Sequence, residues 1–235
     1  MKIAILSDIH GNFYAFDAVL KQIVKKNIDL YFFLGDQLGY YYDAEAVYDK
    51  ISELNCHIIA GNHERIFLKY LKADSSYRAM INKKYGSSFF KYAENFPARL
   101  TEFVSTLPNK KEVFIDGYRF LLCHGAPQDM DQYIYPDADS EVLEQVDADN
   151  YDFIFNGHTH YPMIYVGSKT SLINVGSVGQ SRTVGGVANW GIFNTKNGLY
   201  EPQNTLYDIK GLENSLDPNE KDYLFSILRR NNNII

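Results

Sequence analysis

The sequence predicts an α/β fold on three observations: five short apolar runs of strand length, apolar residues at helical spacing between the first three of them, and a 235-residue chain that suits one sizeable domain. The runs are residues 2–7, 30–34, 57–60, 119–123 and 152–155, rich in Ile, Leu, Phe or Val. Continuous apolarity along a strand implies burial on both faces. Between the first two, residues 15–26 place Phe16, Val19, Leu20, Ile23 and Val24 on one helical face, and residues 45–54 repeat this with Val47, Ile51 and Leu54. The opening third therefore reads βαβαβ.

Residues 64–107 carry Ile66, Phe67, Tyr70, Leu71, Phe89, Phe90, Tyr92 and Phe103 without strand alternation, broken at Gly86-Ser87-Ser88, which predicts a helical insertion. Pro108-Asn109 ends it. Asp116-Gly117 between residues 113–115 and 118–123 predicts a hairpin, and Lys196-Asn197-Gly198 between 190–194 and 199–201 predicts another. Residues 163–166 and 171–175 are further short strands. At the end, Asp217-Pro218-Asn219-Glu220 supplies an N-cap, a Pro at N1 and a Glu at N3, so a helix is expected over about 218–230.

Composition narrows the function classes. Formal net charge is −6 and no Lys/Arg block exceeds a dipeptide, so general nucleic-acid binding is not expected. The first apolar run reaches Asp and His too soon for a signal sequence or a membrane span, and a cytoplasmic protein is expected. Cys56 and Cys123 lack CxxC spacing and are read as two buried, reduced thiols.

The chemistry gathers at the ends of the five runs. Asp8 and His10 follow the first, Asp36 the second, Asn62 the third, His124 the fourth, and His158 and His160 the fifth. Five of the six histidines fall at or beside such ends; His57 alone begins a strand. Strand carboxyl ends are where α/β proteins bind ligands. Imidazole, carboxylate and amide oxygen without thiolate suit Mn, Fe, Zn or a similar ion, and seven ligands exceed what one tetrahedral ion accepts. In Asp8-x-His10 and His158-x-His160, extended chain would put both side chains of each pair on one side.

These blocks, Asp8-Ile9-His10, Gly35-Asp36, Gly61-Asn62-His63-Glu64, His124 and Gly157-His158-Thr159-His160, occur in an order that resembles the calcineurin-like metallophosphoesterases, closest to their small bacterial phosphodiesterase-like branch. The resemblance extends over about the first 180 residues, including Gly176-Ser177-Val178-Gly179-Gln180. It implies a four-layer α/β/β/α sandwich of two mixed sheets with a helical cap. It also implies two divalent metal ions (Mn, Fe, Ni or Zn), one held by Asp8, His10, Asp36 and His160, the other by Asp36, Asn62, His124 and His158, with Asp36 as bridge. His63 would reach the substrate as catalytic residue instead of binding metal.

A metal pair ~3.5–4 Å apart holds a bridging hydroxide as nucleophile for in-line attack on a phosphoester. A small phosphoester, nucleotides included, is the expected substrate; a metal-bearing binding or scaffold module, a protein phosphatase or a nuclease are the alternatives. Asn12 could touch substrate, although a helix N-cap is the favoured reading. Arg182 either grips a distal phosphate or is a solvated loop residue. Glu64 reads as a helix-start charge or a supporting partner. Tyr70, Tyr77, Tyr85 and Tyr92 read as core more than as base-stacking groups. The Tyr40-Tyr41-Tyr42 run departs from the Gly/Pro-rich loop of close relatives, so no relative's substrate is carried over.

Overall fold

The computed structural model, which describes residues 1–147, 150–220 and 222–231, divides the predicted strands between two sheets. In chain order the strands are β1 (Lys2–Leu6), β2 (Leu30–Phe33), β3 (Cys56–Ile58), β4 (Lys110–Ile115), β5 (Tyr118–Cys123), β6 (Phe153–Asn156), β7 (Met163–Val166), β8 (Ser171–Asn174), β9 (Val187–Asn194) and β10 (Leu199–Leu206). One sheet has the order β10-β9-β1-β2-β3 and the other β4-β5-β6-β8-β7. Within each, a parallel trio (β1, β2, β3 and β5, β6, β8) is completed by antiparallel strands.

Alternation along β1 explains why its run is apolar throughout. Ile3 and Ile5 face the layer between the sheets, with Phe32, Phe120, Phe155 and Phe193, while Ala4 and Leu6 face outward. Outside the first sheet, helix α1 (Phe13–Ile23) buries Phe16, Val19 and Ile23, and α2 (Ala44–Ser52) buries Val47 and Ile51. A 3-10 turn, Val24–Lys26, ends α1 short of the expected helix. The four helices of the insertion are α3 (Asn62–Lys72), α4 (Ser75–Tyr85), α5 (Ser88–Asn95) and α6 (Ala98–Thr106), with Gly86 at φ 88° between α4 and α5. Outside the second sheet, α7 (Ser140–Asp147), which no sequence signal announced, packs Val142, Leu143 and Val146 on Leu121, Ile154 and Leu172. The result is the four-layer α/β/β/α arrangement.

One placement was open in the sequence and two expectations need correction. The late hairpin β9–β10 joins the first sheet beside β1, whereas the runs at β5 and β6 belong to the second. Next to β1 both faces of β9 are buried, with Trp190 and Ile192 outward and Phe193 between the sheets. The terminal helices are α8 (Ile209–Ser215) and α9 (Asp222–Leu228), and residues 217–220 form a turn before α9. Glu220, expected inside the helix start, is instead held by the Tyr42 hydroxyl at 2.7 Å and by the Ser87 hydroxyl and N–H at 2.6 and 3.1 Å. Cys123 is buried as expected but Cys56 is half-buried.

Tyr70, Tyr85 and Tyr92 lie in an aromatic core with Phe67 and Phe89, and α8 and α9 close it with Leu212, Leu224 and Leu228. No helix among the described residues is long and apolar enough to cross a membrane.

Phe193 sits between the sheets with ring centroids 4.6 Å from Phe153 and 5.2 Å from Phe120. Phe193→Ala is expected to cost about 3–5 kcal/mol in urea unfolding; a loss below ~1 kcal/mol would show that the sheets do not depend on this contact.

Candidate metal centre

Five of the seven expected ligands have left-handed backbone: Asp8 (φ 54°), His10 (φ 55°), Asp36 (φ 56°), His158 (φ 66°) and His160 (φ 62°). The extended alternation expected for Asp8-x-His10 and His158-x-His160 is therefore absent. Both pairs lie just past their strands, in loops where each left-handed residue turns its side chain inward. For non-glycine residues this conformation costs roughly 1–3 kcal/mol each, and it persists only where surroundings impose it.

The surroundings are hydrogen bonds that carry strand pairing into the loops. Asp8 N–H donates to Gly35 O (3.1 Å), His10 N–H to Asp36 O (2.9 Å) and Gly11 N–H to Gln37 O (2.8 Å). From the other side, the loop after β8 donates Val178 N–H to Ser7 O and Gly179 N–H to Asp8 O, both at 3.0 Å, and the Ser177 hydroxyl to Asp8 O at 2.7 Å. A Cβ at Gly179 would collide with the Ile9 carbonyl, so this close approach requires glycine.

Glu64, at the third position of α3, fastens the β2 and β3 ends together. Its buried carboxylate accepts from the N–H groups of Asp36 (2.8 Å), Gln37 (2.9 Å), Leu38 (3.2 Å) and Gly61 (2.7 Å) and from the Tyr48 hydroxyl (2.9 Å). This is the supporting role expected of it. The same helix start gives His63 N–H to Asp36 Oδ1 at 2.8 Å, favouring the charged carboxylate.

Each carboxylate thus spends one oxygen on the backbone and offers the other to the centre. Asp8 Oδ2 accepts from the Ser7 hydroxyl and His158 N–H, while Oδ1 is buried with no hydrogen bond. Asp36 Oδ2 lies 3.2 Å from His124 Nε2, 3.8 Å from His10 Nε2 and 4.0 Å from His63 Nε2.

The imidazoles are oriented in the same sense. Nδ1 of His124 and of His160 each lies 2.8 Å from a carbonyl, Leu34 O and Gln180 O, and His10 Nδ1 lies 3.3 Å from Leu38 O. These contacts place the proton on Nδ1 and leave Nε2 lone pairs facing inward. His158 is reversed, with Nε2 3.2 Å from Asp131 O, which leaves Nδ1. Inward lone pairs then meet one another: His10 Nε2 and His160 Nε2 are 3.0 Å apart, and His124 Nε2 faces Asn62 Oδ1 at 3.1 Å. Such contacts are repulsive unless a proton or a metal ion lies between them.

Titration tells the same story. Burial opposes charge on Asp8 and Asp36, yet the neighbouring histidines, led by His160 for Asp8 and His124 for Asp36, hold both carboxyls below their usual range. Burial likewise opposes charge on His124, but Asp36 and Asp8 prevail and push it up to about 10. Burial, with His124 nearby, pushes His158 down to about 4, and burial lowers His160. The cluster attracts positive charge, and its donor set fits divalent cations. Ligand atoms fall into groups within 4.8 Å: Asp8, His10 and His160; Asp36, His124 and His158; and His10, Asp36 and His63.

Above the cluster lies a cleft of about 200 Å³ bordered by Asp36, Asn62, His63, His158 and His160, and by Tyr40, Tyr85, Tyr133, Tyr135, Lys84 and Arg182. Arg182 thus sits on the site. Asn12 is fully buried and caps α1, its Oδ1 accepting from Ala15 N–H and its Nδ2 donating to Gly179 O. Sequence reasoning missed Lys84, Tyr133 and Tyr135 as cleft residues. Tyr133 and Tyr135 come from an irregular segment with no periodicity to mark them, although Asp131-Gln132-Tyr133-Ile134-Tyr135 soon after His124 is an aromatic signal of a kind.

Glu64→Ala leaves four buried N–H groups without their acceptor and is expected to lower stability by about 3 kcal/mol or more in urea unfolding. An unchanged unfolding midpoint would show that these amides find other partners.

Comparison with known proteins identifies the fold and the family. A 32% identical relative, aligned over 227 residues and 88% of each chain, is an uncharacterized protein of Methanocaldococcus jannaschii. A hypothetical protein from Pyrococcus horikoshii has the same fold with TM-score 0.81 at 18% identity, covering 97% of each chain. A metallophosphoesterase from Sphaerobacter thermophilus superposes with TM-score 0.80 at 22% identity, covering 97% of this chain and 98% of its own. The sequence profile of the calcineurin-like phosphoesterase superfamily domain matches residues 1–198, and the chain belongs to that superfamily.

Proposed function

We propose that the protein is a dinuclear metal-dependent hydrolase of small phosphoesters, nucleotides among them, working in the cytoplasm. The observation that carries this reading is the position of Asp36 Oδ2, a buried carboxylate oxygen facing His124 on one side and His10 on the other. In this reading Asp8, His10, Asp36 and His160 hold one ion and Asp36, Asn62, His124 and His158 the other, with Mn, Fe, Ni or Zn as candidates. Ions held there supply Lewis acidity and an activated water.

The chain's own residues do the rest. Left-handed backbone at five ligands and the carbonyls on Nδ1 of His10, His124 and His160 set the donor atoms before anything binds, so little reorganisation is needed. His63 is buried, its Nδ1 has no hydrogen-bond partner, and its ring is walled by Tyr40, Tyr85 and Phe89. Burial pushes its pKa down to about 3 despite Asp36, so it waits as a neutral imidazole. An incoming phosphoryl group brings negative charge to this ring and raises its proton affinity. His63 then takes up a proton from water and, as imidazolium, donates it to a phosphoryl oxygen or to the leaving oxygen.

Metal-stripped protein should regain bis-p-nitrophenyl phosphate hydrolysis on adding Mn, and silence with every divalent ion tested would sink the reading. Asp36→Asn is expected to lose metal and activity together. His63→Ala should keep its metal content while kcat falls about 10²–10⁴-fold; loss of both ions in that variant would refute its substrate-facing role.

A further inference from the structure

Two cations on the cleft have no part in the reaction proposed above. Arg182 leaves the loop after β8 with its N–H on the His160 carbonyl at 3.3 Å, and its guanidinium Nε is buried without a hydrogen-bond partner. Lys84, in the last turn of α4, holds its ammonium 4.8 Å from the centre of the Tyr85 ring, which in turn lies 4.8 Å from His63. No ion pair forms on either cation among the described residues, although carboxylates elsewhere pair with Arg65, Arg99, Arg119 and Arg229. Asp36 is the acidic residue on the cleft wall, and its oxygens are engaged by His63 N–H and the cluster. A chain of net charge −6 thus keeps two unpaired positive groups over a site that already attracts cations.

A buried guanidinium N–H without an acceptor is a standing cost that a bound anion removes. The cleft, about 200 Å³, is smaller than the roughly 300–1,000 Å³ of pockets that enclose drug-sized ligands, so its charge acts on a compact anion. His63 and the cluster already serve one phosphoryl group. Resting on the phosphoesterase reading, we propose that Arg182, with Lys84 at the rim, forms a second anion subsite that holds another phosphoryl group of the same substrate. The guanidinium fork matches phosphate oxygens, while the ammonium acts as a point charge. Substrates with two neighbouring phosphoryl groups are therefore preferred over those with one.

The test uses full-length Mn-loaded protein with inorganic phosphate and with methylenediphosphonate, which carries two phosphoryl groups that cannot be hydrolysed apart. Calorimetry should find methylenediphosphonate bound about tenfold or more tighter than phosphate, as charge-assisted hydrogen bonds to a second group require. Arg182→Gln should erase most of that advantage while moving phosphate affinity less than about threefold, and Lys84→Gln should produce a smaller loss in the same direction. Equal losses for both anions in Arg182→Gln would assign Arg182 to the reacting group and overturn the subsite, as would no change for either. Retained Mn is measured alongside; loss of the ions to the diphosphonate would mark it as a chelator and also overturn the subsite. The phosphoesterase reading fails separately, when neither anion binds wild-type protein and bis-p-nitrophenyl phosphate is not hydrolysed.

Discussion

The Glu64 carboxylate, buried and accepting from four backbone N–H groups and the Tyr48 hydroxyl, is the interaction on which the site's geometry depends. It joins the loop after β2 to the start of α3, and so fixes Asp36 against Asn62 and His63. The energetics are one-sided. A carboxylate is costly to bury, but four convergent amides would be equally costly to bury without it. Neither half is stable alone, which makes the junction rigid.

That rigidity sustains the left-handed backbone at Asp8, His10, Asp36, His158 and His160. The strain is distributed over loops of both sheets, and the layer between them holds those loops in register. Phe32, Phe120, Phe155 and Phe193 therefore support the chemistry at a distance by fixing how the two sheets' strand ends meet. Two anions and four inward-facing imidazoles of the expected ligand set, buried together, are a poor arrangement without added positive charge, and His124 draws a proton for that reason.

Around this centre the chain divides its work. The sheets and their loops supply the expected ligand set apart from Asn62, which opens α3, while the insertion supplies His63, Lys84 and Tyr85 and the loop after β5 supplies Tyr133 and Tyr135. Tyr133 stacks on His158 with centroids 3.9 Å apart and on Tyr135 at 5.5 Å, which ties this segment to a ligand ring.

Much of the protein could be read from residue order. Strand and helix periods are local properties, so the five apolar runs, α1, α2, the helical insertion and the Asp116-Gly117 hairpin were all recognisable before any coordinates. The ligand candidates were recognisable for a related reason: each lies within four residues of a strand's carboxyl end, and imidazole or carboxylate there has few structural uses. Other features depend on contacts between distant segments. Which sheet β9 joins is set by its pairing with β1, far away in sequence, and the place of Glu220 by Tyr42 and Ser87. Left-handed φ at five ligands arises from loop-to-loop hydrogen bonds; Asp and His enter that region more readily than most side chains, but only those contacts decide where they do. Asn12 and Arg182 looked alike as polar residues in Gly-containing loops; packing turned one into a buried helix cap and left the other's guanidinium facing the cleft without a partner.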